Sequence, residues 1–131
     1  MKSFTLTEIN TKELLTSNGV YTIHLCDFNG NKIPIQRLCG EDSEGMIYIG
    51  AAQKTSLSYR LKTFFHSMNP QRRQNNHSAG NKISENENLR KWLNNHCLYF
   101  NVEITLNPKN LEKNKLKEYK MKFGEIPPLN G

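Results

Sequence analysis

The sequence predicts an α+β fold: a small, mostly antiparallel three-stranded sheet flanked by helices. Three observations point there. Runs rich in β-branched and aromatic residues crowd the first fifty positions. Apolar residues recur at helical spacing from Leu57 onward. An Asn-Pro pair and a glycine bracket a long helix near the end, and no repeat or low-complexity linker interrupts the order. At 131 residues the chain has the length of one domain with one core, so positions 1–131 are read as a single unit.

A short helix is expected around Thr11 to Thr16, followed by a strand at VYTIHLC, residues 20–26. Asp27-Phe28-Asn29-Gly30-Asn31 supplies an Asn-Gly turn, and KIPIQRL returns as a second extended run. Pro34 marks that run as an edge or irregular strand. GEDSEG connects to a third strand, MIYIG, which runs into Ala51 and Ala52. A glycine closing a strand leaves the backbone open to close approach, and small residues after it keep the opening clear. Leu57, Leu61, Phe64 and Phe65 then form one helical stripe with Arg60 at its border. MNPQRRQNNHSAGN reads as a basic, Asn-rich loop, and Ser84 with Glu87 as a capping box for a second helix through about Asn95. CLYFNVEIT is a further strand. Asn107-Pro108 opens a last helix that Gly124 stops. In that helix Glu112 falls in line with Leu116, Tyr119 and Phe123, so a carboxylate interrupts an apolar stripe. It either leans to solvent and the positive helix N-terminus or points inward to hold a cation.

The net charge is +6, unevenly placed. Residues 1–50 carry four Lys+Arg against six Asp+Glu, and residues 51–131 carry fourteen against six. A basic half suits a polyanionic partner, or a solvated surface rich in Lys and Asn. No stretch approaches the ~18 unbroken apolar residues of a membrane span. Polar residues interrupt every short apolar run of MKSFTLTEINTKELL, so a secretory signal is not expected and the cytoplasm is. Cys26, Cys39 and Cys97 lack zinc-ligand spacing and read as reduced, mostly buried small hydrophobes.

Several pieces then fall in a telling order. Gly19-Val20-Tyr21 is followed by Tyr48-Ile49-Gly50, by Arg60 ten residues on, by His77-Ser78, by Leu111-Glu112 with KNKLKEY, and by Pro127-Pro128-Leu129-Asn130. Together they resemble the GIY-YIG nuclease family, with a core motif region at 19–130. The 27 positions from Tyr21 to Tyr48 exceed the usual spacing, which implies an inserted hairpin at 27–40. Some members carry a histidine where this chain has Phe64; His66 lies two residues on, and His77 is the better histidine candidate.

The resemblance implies a stand-alone metal-dependent endonuclease hydrolysing DNA phosphodiester bonds, with one Mg²⁺ or Mn²⁺ held by Glu112. It implies Tyr21 as general base, Tyr48 as its orienting partner, Arg60 on the scissile phosphate, and His77 as proton relay or phosphate ligand. A phenol takes a proton from water only if its phenolate is stabilised. Lys54, Lys62, Arg72, Arg73, Lys82 and Asn130 are the expected nucleic-acid contacts, on duplex or branched DNA. Strong sequence specificity would need a separate subunit or a homodimer. The other reading is a catalytically inactive nucleic-acid-binding module with the same fold, in which Tyr21 and Tyr48 are ordinary core aromatics and His24 and His96 have no site role.

Overall fold

A computed structural model describes the chain at residues 2–5, 16–68 and 77–131, residues 2–5 as backbone alone. The helix expected from Thr11 falls outside the described residues, as do Arg72 and Arg73. The order of elements is β1 (Lys2–Thr5), β2 (Gly19–Cys26), β3 (Ile35–Arg37), β4 (Gly40–Asp42), β5 (Met46–Ala52), α1 (Leu57–Ser67), α2 (Ser78–Glu85), α3 (Glu87–Asn94), β6 (Cys97–Ile104) and α4 (Pro108–Phe123).

The fold is α+β, with helices on both faces of an antiparallel sheet ordered β1-β6-β2-β5. Three long strands, β6, β2 and β5, form its centre, and β1 adds a short fourth strand beside β6. Every residue of β2 is buried, because α1 packs on one side of the sheet and α4 on the other. Tyr21, Ile23 and Leu25 meet Leu57, Leu61 and Phe64 in the larger core, while Val20 and Ile49 meet Tyr119 and Phe123 in the smaller one. Truncating a ring such as Phe64 in a core of this kind costs about 3–5 kcal/mol.

The sheet departs from the expected one in its membership. KIPIQRL does not join it: Cys26 bridges only Lys32, and β3 pairs with β4 in a separate two-stranded hairpin. Pro34, without an N–H to offer a ladder, precedes that hairpin directly. CLYFNVEIT, as β6, takes the central place instead. The turn itself forms as expected, with Asp27 Oδ1 accepting the N–H groups of Asn29 and Asn31. The strands of the expected insertion thus span 35–42, beyond its predicted end. Pairing between β2 and β5 shifts register between Ile23 and His24, whose partners are Tyr48 and Met46. The extra residue, Ile47, breaks the alternation, and both Ile47 and Tyr48 join the α1-side core.

Two helix readings also change. Ser84 is no N-cap; it lies inside α2 and donates to the Asn81 carbonyl. Asn86 caps α3, its Oδ1 accepting from the Leu89 N–H at 3.0 Å. The segment HSAGN, expected as loop, starts α2. Phe65 is largely exposed rather than part of the α1 stripe, and Cys39 is exposed while Cys26 is buried and Cys97 half-buried. The last helix follows the sequence closely: Pro108 opens α4, and Gly124 closes it at φ 79°, a left-handed conformation that favours glycine.

Candidate active site

Tyr21 in β2 stands directly opposite Gly50 in β5. A Cβ at position 50 would lie 2.5 Å from Tyr21 Oη and 2.7 Å from Tyr48 Cε2. The glycine at the end of MIYIG is therefore required by the two phenol rings beside it. The ring centroids of Tyr21 and Tyr48 are 6.1 Å apart, and both rings sit against His77, at 6.1 and 5.2 Å.

His77 is fully buried and reaches this place as the N-cap of α2. Its Nδ1 accepts the Gly80 N–H at 3.3 Å, which leaves the proton of the neutral ring on Nε2. Nε2–H then donates to Tyr21 Oη at 2.6 Å. Burial, reinforced by the charge of Arg60, lowers the His77 pKa to about 3, so the ring is neutral at pH 7 and the tautomer is set by its cap. Phe64 completes the enclosure, its ring edge-on to His77 at 5.1 Å. It occupies the position where a histidine was considered, and His66 instead sits beside Phe65.

Arg60 lies in the first turn of α1, behind the Ser56 cap whose Oγ accepts the Tyr59 N–H. Its positive charge reaches Tyr21 and favours the phenolate. Burial opposes this more strongly and raises the Tyr21 pKa well above the usual phenol range, helped by Tyr48 and Glu112. Tyr21 is 1% exposed. Tyr48 is also buried, and its hydroxyl lies 3.3 Å from Ser78 Oγ, so the His-Ser pair serves both tyrosines.

Glu112 neither points fully inward nor leans freely to solvent. Its side chain is 22% exposed and pairs with Lys109 Nζ at 3.9 Å. Among the described residues no three His, Cys, Asp or Glu side chains converge on a metal position. Glu112 is thus a single carboxylate close enough for its charge to act on Tyr21. One carboxylate with water and substrate oxygens is a common way to hold Mg²⁺, so the residues present fit that ion.

The expected nucleic-acid contacts divide. Lys54 and Lys62 are exposed. Lys82 turns inward to the chain's own end, donating to the Leu129 carbonyl at 3.0 Å and to the Gly131 carbonyl. Asn130 accepts from the Ile49 N–H at 2.9 Å and donates to the Ile49 carbonyl at 2.8 Å, which spends its amide on β5. Both residues lock the C-terminal segment. His77, without exposed surface, is likewise removed from direct phosphate contact. His24 and His96 have ordinary partners: His24 Nδ1 donates to the Glu44 carbonyl and its ring stacks on Tyr99, while His96 Nδ1 donates to the Trp92 carbonyl.

Gly80 is the residue the sequence reading missed. A Cβ there would come 2.6 Å from Ser67 Cβ and 2.8 Å from the Phe64 carbonyl, so glycine is what lets α2 approach α1 and carry His77 to Tyr21. The signal was present as His77 and Gly80 three positions apart, the spacing of a capping residue and the N–H it accepts. A cavity of about 900 Å³ lies elsewhere, lined by Cys26, Met68, Ile83, Leu93 and Cys97 among others, and by none of Tyr21, Tyr48, Arg60, His77 or Glu112.

The fold and this cluster define an α+β protein with a buried Tyr-His pair approached by an arginine and a lone carboxylate. No family model, characterised protein or solved structure matches the chain. No helix among the described residues is long and apolar enough to cross a membrane.

Proposed function

We propose that this protein is a divalent-metal-dependent endonuclease of the GIY-YIG type, hydrolysing phosphodiester bonds in DNA. The observation that carries the reading is the environment of one oxygen. Tyr21 Oη accepts a hydrogen bond from His77 Nε2 and feels the positive charge of Arg60, and the charge of Glu112 reaches it from α4. A fixed donor and a cation at a phenol oxygen offset part of the cost that burial places on its phenolate. A core tyrosine is satisfied by one hydrogen-bond partner and needs no cation beside it.

In this reading Tyr21 gives its phenolic proton to solvent and, as phenolate, takes the proton of the attacking water. His77 steadies the phenolate as a fixed hydrogen-bond donor, since its Nδ1 faces a backbone N–H and offers no onward path for a proton. That replaces the relay role inferred from sequence. Arg60 stabilises charge on the phosphoryl oxygens as it builds, and Tyr48, held near Ser78, keeps the Tyr21 ring in place. Glu112 would hold Mg²⁺ or Mn²⁺, which supplies charge neutralisation at the phosphate and the departing oxygen.

The deep burial of Tyr21 favours a second reading, a binding module that keeps the cluster as core. Supercoiled plasmid separates the two. The nuclease reading expects nicked or linear product with Mg²⁺ or Mn²⁺, none with chelator, and a loss of at least about 10²-fold in Glu112→Ala of matched folding. Salt-sensitive retention of plasmid and branched DNA by both proteins, with no product from either, would sink the nuclease reading in favour of the module.

A further inference from the structure

Among the described residues the hairpin of β3 and β4 pairs with no other strand, and its contacts run instead to the C-terminal end of α4. Arg37 donates to Glu125 Oε1 at 2.6 Å and to the Ile126 carbonyl at 2.8 Å. The Leu38 N–H donates to Glu125 Oε2 at 2.8 Å, and the Cys39 N–H to the Phe123 carbonyl at 3.0 Å. Gly124 is pressed against the same hairpin, where a Cβ would lie 2.6 Å from Cys39 Sγ.

At the far end of the hairpin Asp42 is 2% exposed, and its carboxylate gathers three donors. Oδ1 accepts the Glu44 N–H at 2.9 Å. Oδ2 accepts the Met46 N–H at 3.1 Å and the Tyr119 hydroxyl at 2.8 Å. Met46 opens β5, the strand of Tyr48 and Gly50, whereas Tyr119 belongs to the helix of Glu112. One buried carboxylate therefore ties the strand of Tyr48 and Gly50 to the helix of Glu112.

The remainder of α4 is held lightly. Of its sixteen residues only Pro108, Tyr119 and Phe123 are buried; Leu111 and Leu116 pack half-buried against the same cluster, and the Lys109 N–H donates to Gln53 Oε1 at 3.1 Å. Glu112 lies seven residues before Tyr119, two turns away on the same stripe and about 10 Å along the axis. Glu112 thus lies between an anchor at Pro108 and Lys109 and the pin at Tyr119, and only the pin reaches Asp42, so a rotation of the helix at Tyr119 is passed along the stripe to the carboxylate.

We propose that the hairpin is a positioning clasp for Glu112, with Asp42 and Tyr119 as its positioning residues, rather than a surface that reads substrate. This rests on the nuclease reading for its catalytic consequence. Tyr119→Phe tests it, since the ring stays in the core and only the hydroxyl is lost. The clasp expects amide hydrogen exchange at residues 111–115 to quicken about five-fold or more, the ratio of one net hydrogen bond. It also expects the Mg²⁺ concentration for half-maximal plasmid nicking to rise by a similar factor, with plasmid retention in chelator unchanged. Faster exchange confined to the hairpin and the last two turns of α4, with an unchanged Mg²⁺ requirement, would overturn the proposal and leave a purely structural contact. Should the parent nick no plasmid, the nuclease reading fails, while exchange at 111–115 still decides the clasp: unchanged exchange there ends it.

Discussion

His77 is the residue whose chemistry depends most on its neighbours. A free imidazole titrates near 6.5, and burial beside Arg60 takes this one to about 3. Between those values the unfolded chain binds a proton at this residue that the folded chain does not, so stability rises with pH through that window and is lost as pH falls through it. The buried His24, lowered in the same direction, adds to the slope. His77→Asn separates the two, because an asparagine oxygen can still cap Gly80 while the titrating ring is gone. From pH 7 to pH 4.5, urea unfolding should show the parent losing on the order of 2 kcal/mol more than His77→Asn. Equal losses would mean that His77 is protonated in the fold, and the donor role assigned to it would fall. At this scale Tyr21, Tyr48 and Gly50 were legible through the family resemblance of their two motifs, and the structure places the three side by side. The tautomer of His77 was not, because it is set by a helix start whose signal is an uncommon capping residue.

Elements were legible where one local rule decided them and illegible where a competing partner did. The last helix has Pro at its first position and Gly past its end, and both boundaries came out within a residue. The Asn-Gly turn pointed to KIPIQRL as the strand returning beside VYTIHLC, yet β6 takes the position beside β2 and the hairpin closes on itself. Pro34 is the local mark against the first pairing; beyond it, register and partner are settled by which faces the helices cover. The C-terminal PPLN segment is similar: Asn130 was expected at nucleic acid, and its amide is instead bonded at both ends to Ile49, one residue from Tyr48. Asn130→Ala strips two backbone partners at β5 and should cost about 1–3 kcal/mol in thermal or urea unfolding. Because Leu129 also donates its N–H to the Ile47 carbonyl, the segment should stay docked and the loss should remain below complete unfolding. An unchanged midpoint would show that water replaces the amide and that the residue is free for another task.

For the molecule as a whole, charge matters less by its sum than by how much of it is already engaged. Lys82 and Arg37 are tied to the chain's own carbonyls and to Glu125, Lys91 pairs with Glu87, and Lys115 with Glu103. Lys113, Lys117 and Lys120 stay exposed, spaced four and three residues apart along one stripe of α4, and Lys54 and Lys62 stay exposed around the start of α1. These groups cannot be sorted from sequence, because a lysine that closes a carbonyl and one that meets water read alike. If the basic half serves DNA, the sorting becomes measurable. Each phosphate contact releases counterions, so removing one lowers the slope of log affinity against log salt by about one. Lys117→Gln with Lys120→Gln should reduce that slope by up to about two and weaken binding similarly across sequences, with unfolding unchanged. Lys82→Gln should do the opposite, moving the unfolding midpoint and leaving the salt slope alone. A slope that responds to Lys82 and ignores the α4 stripe would place the polyanion on another face, and the orientation of substrate over Tyr21 and Arg60 would have to be redrawn.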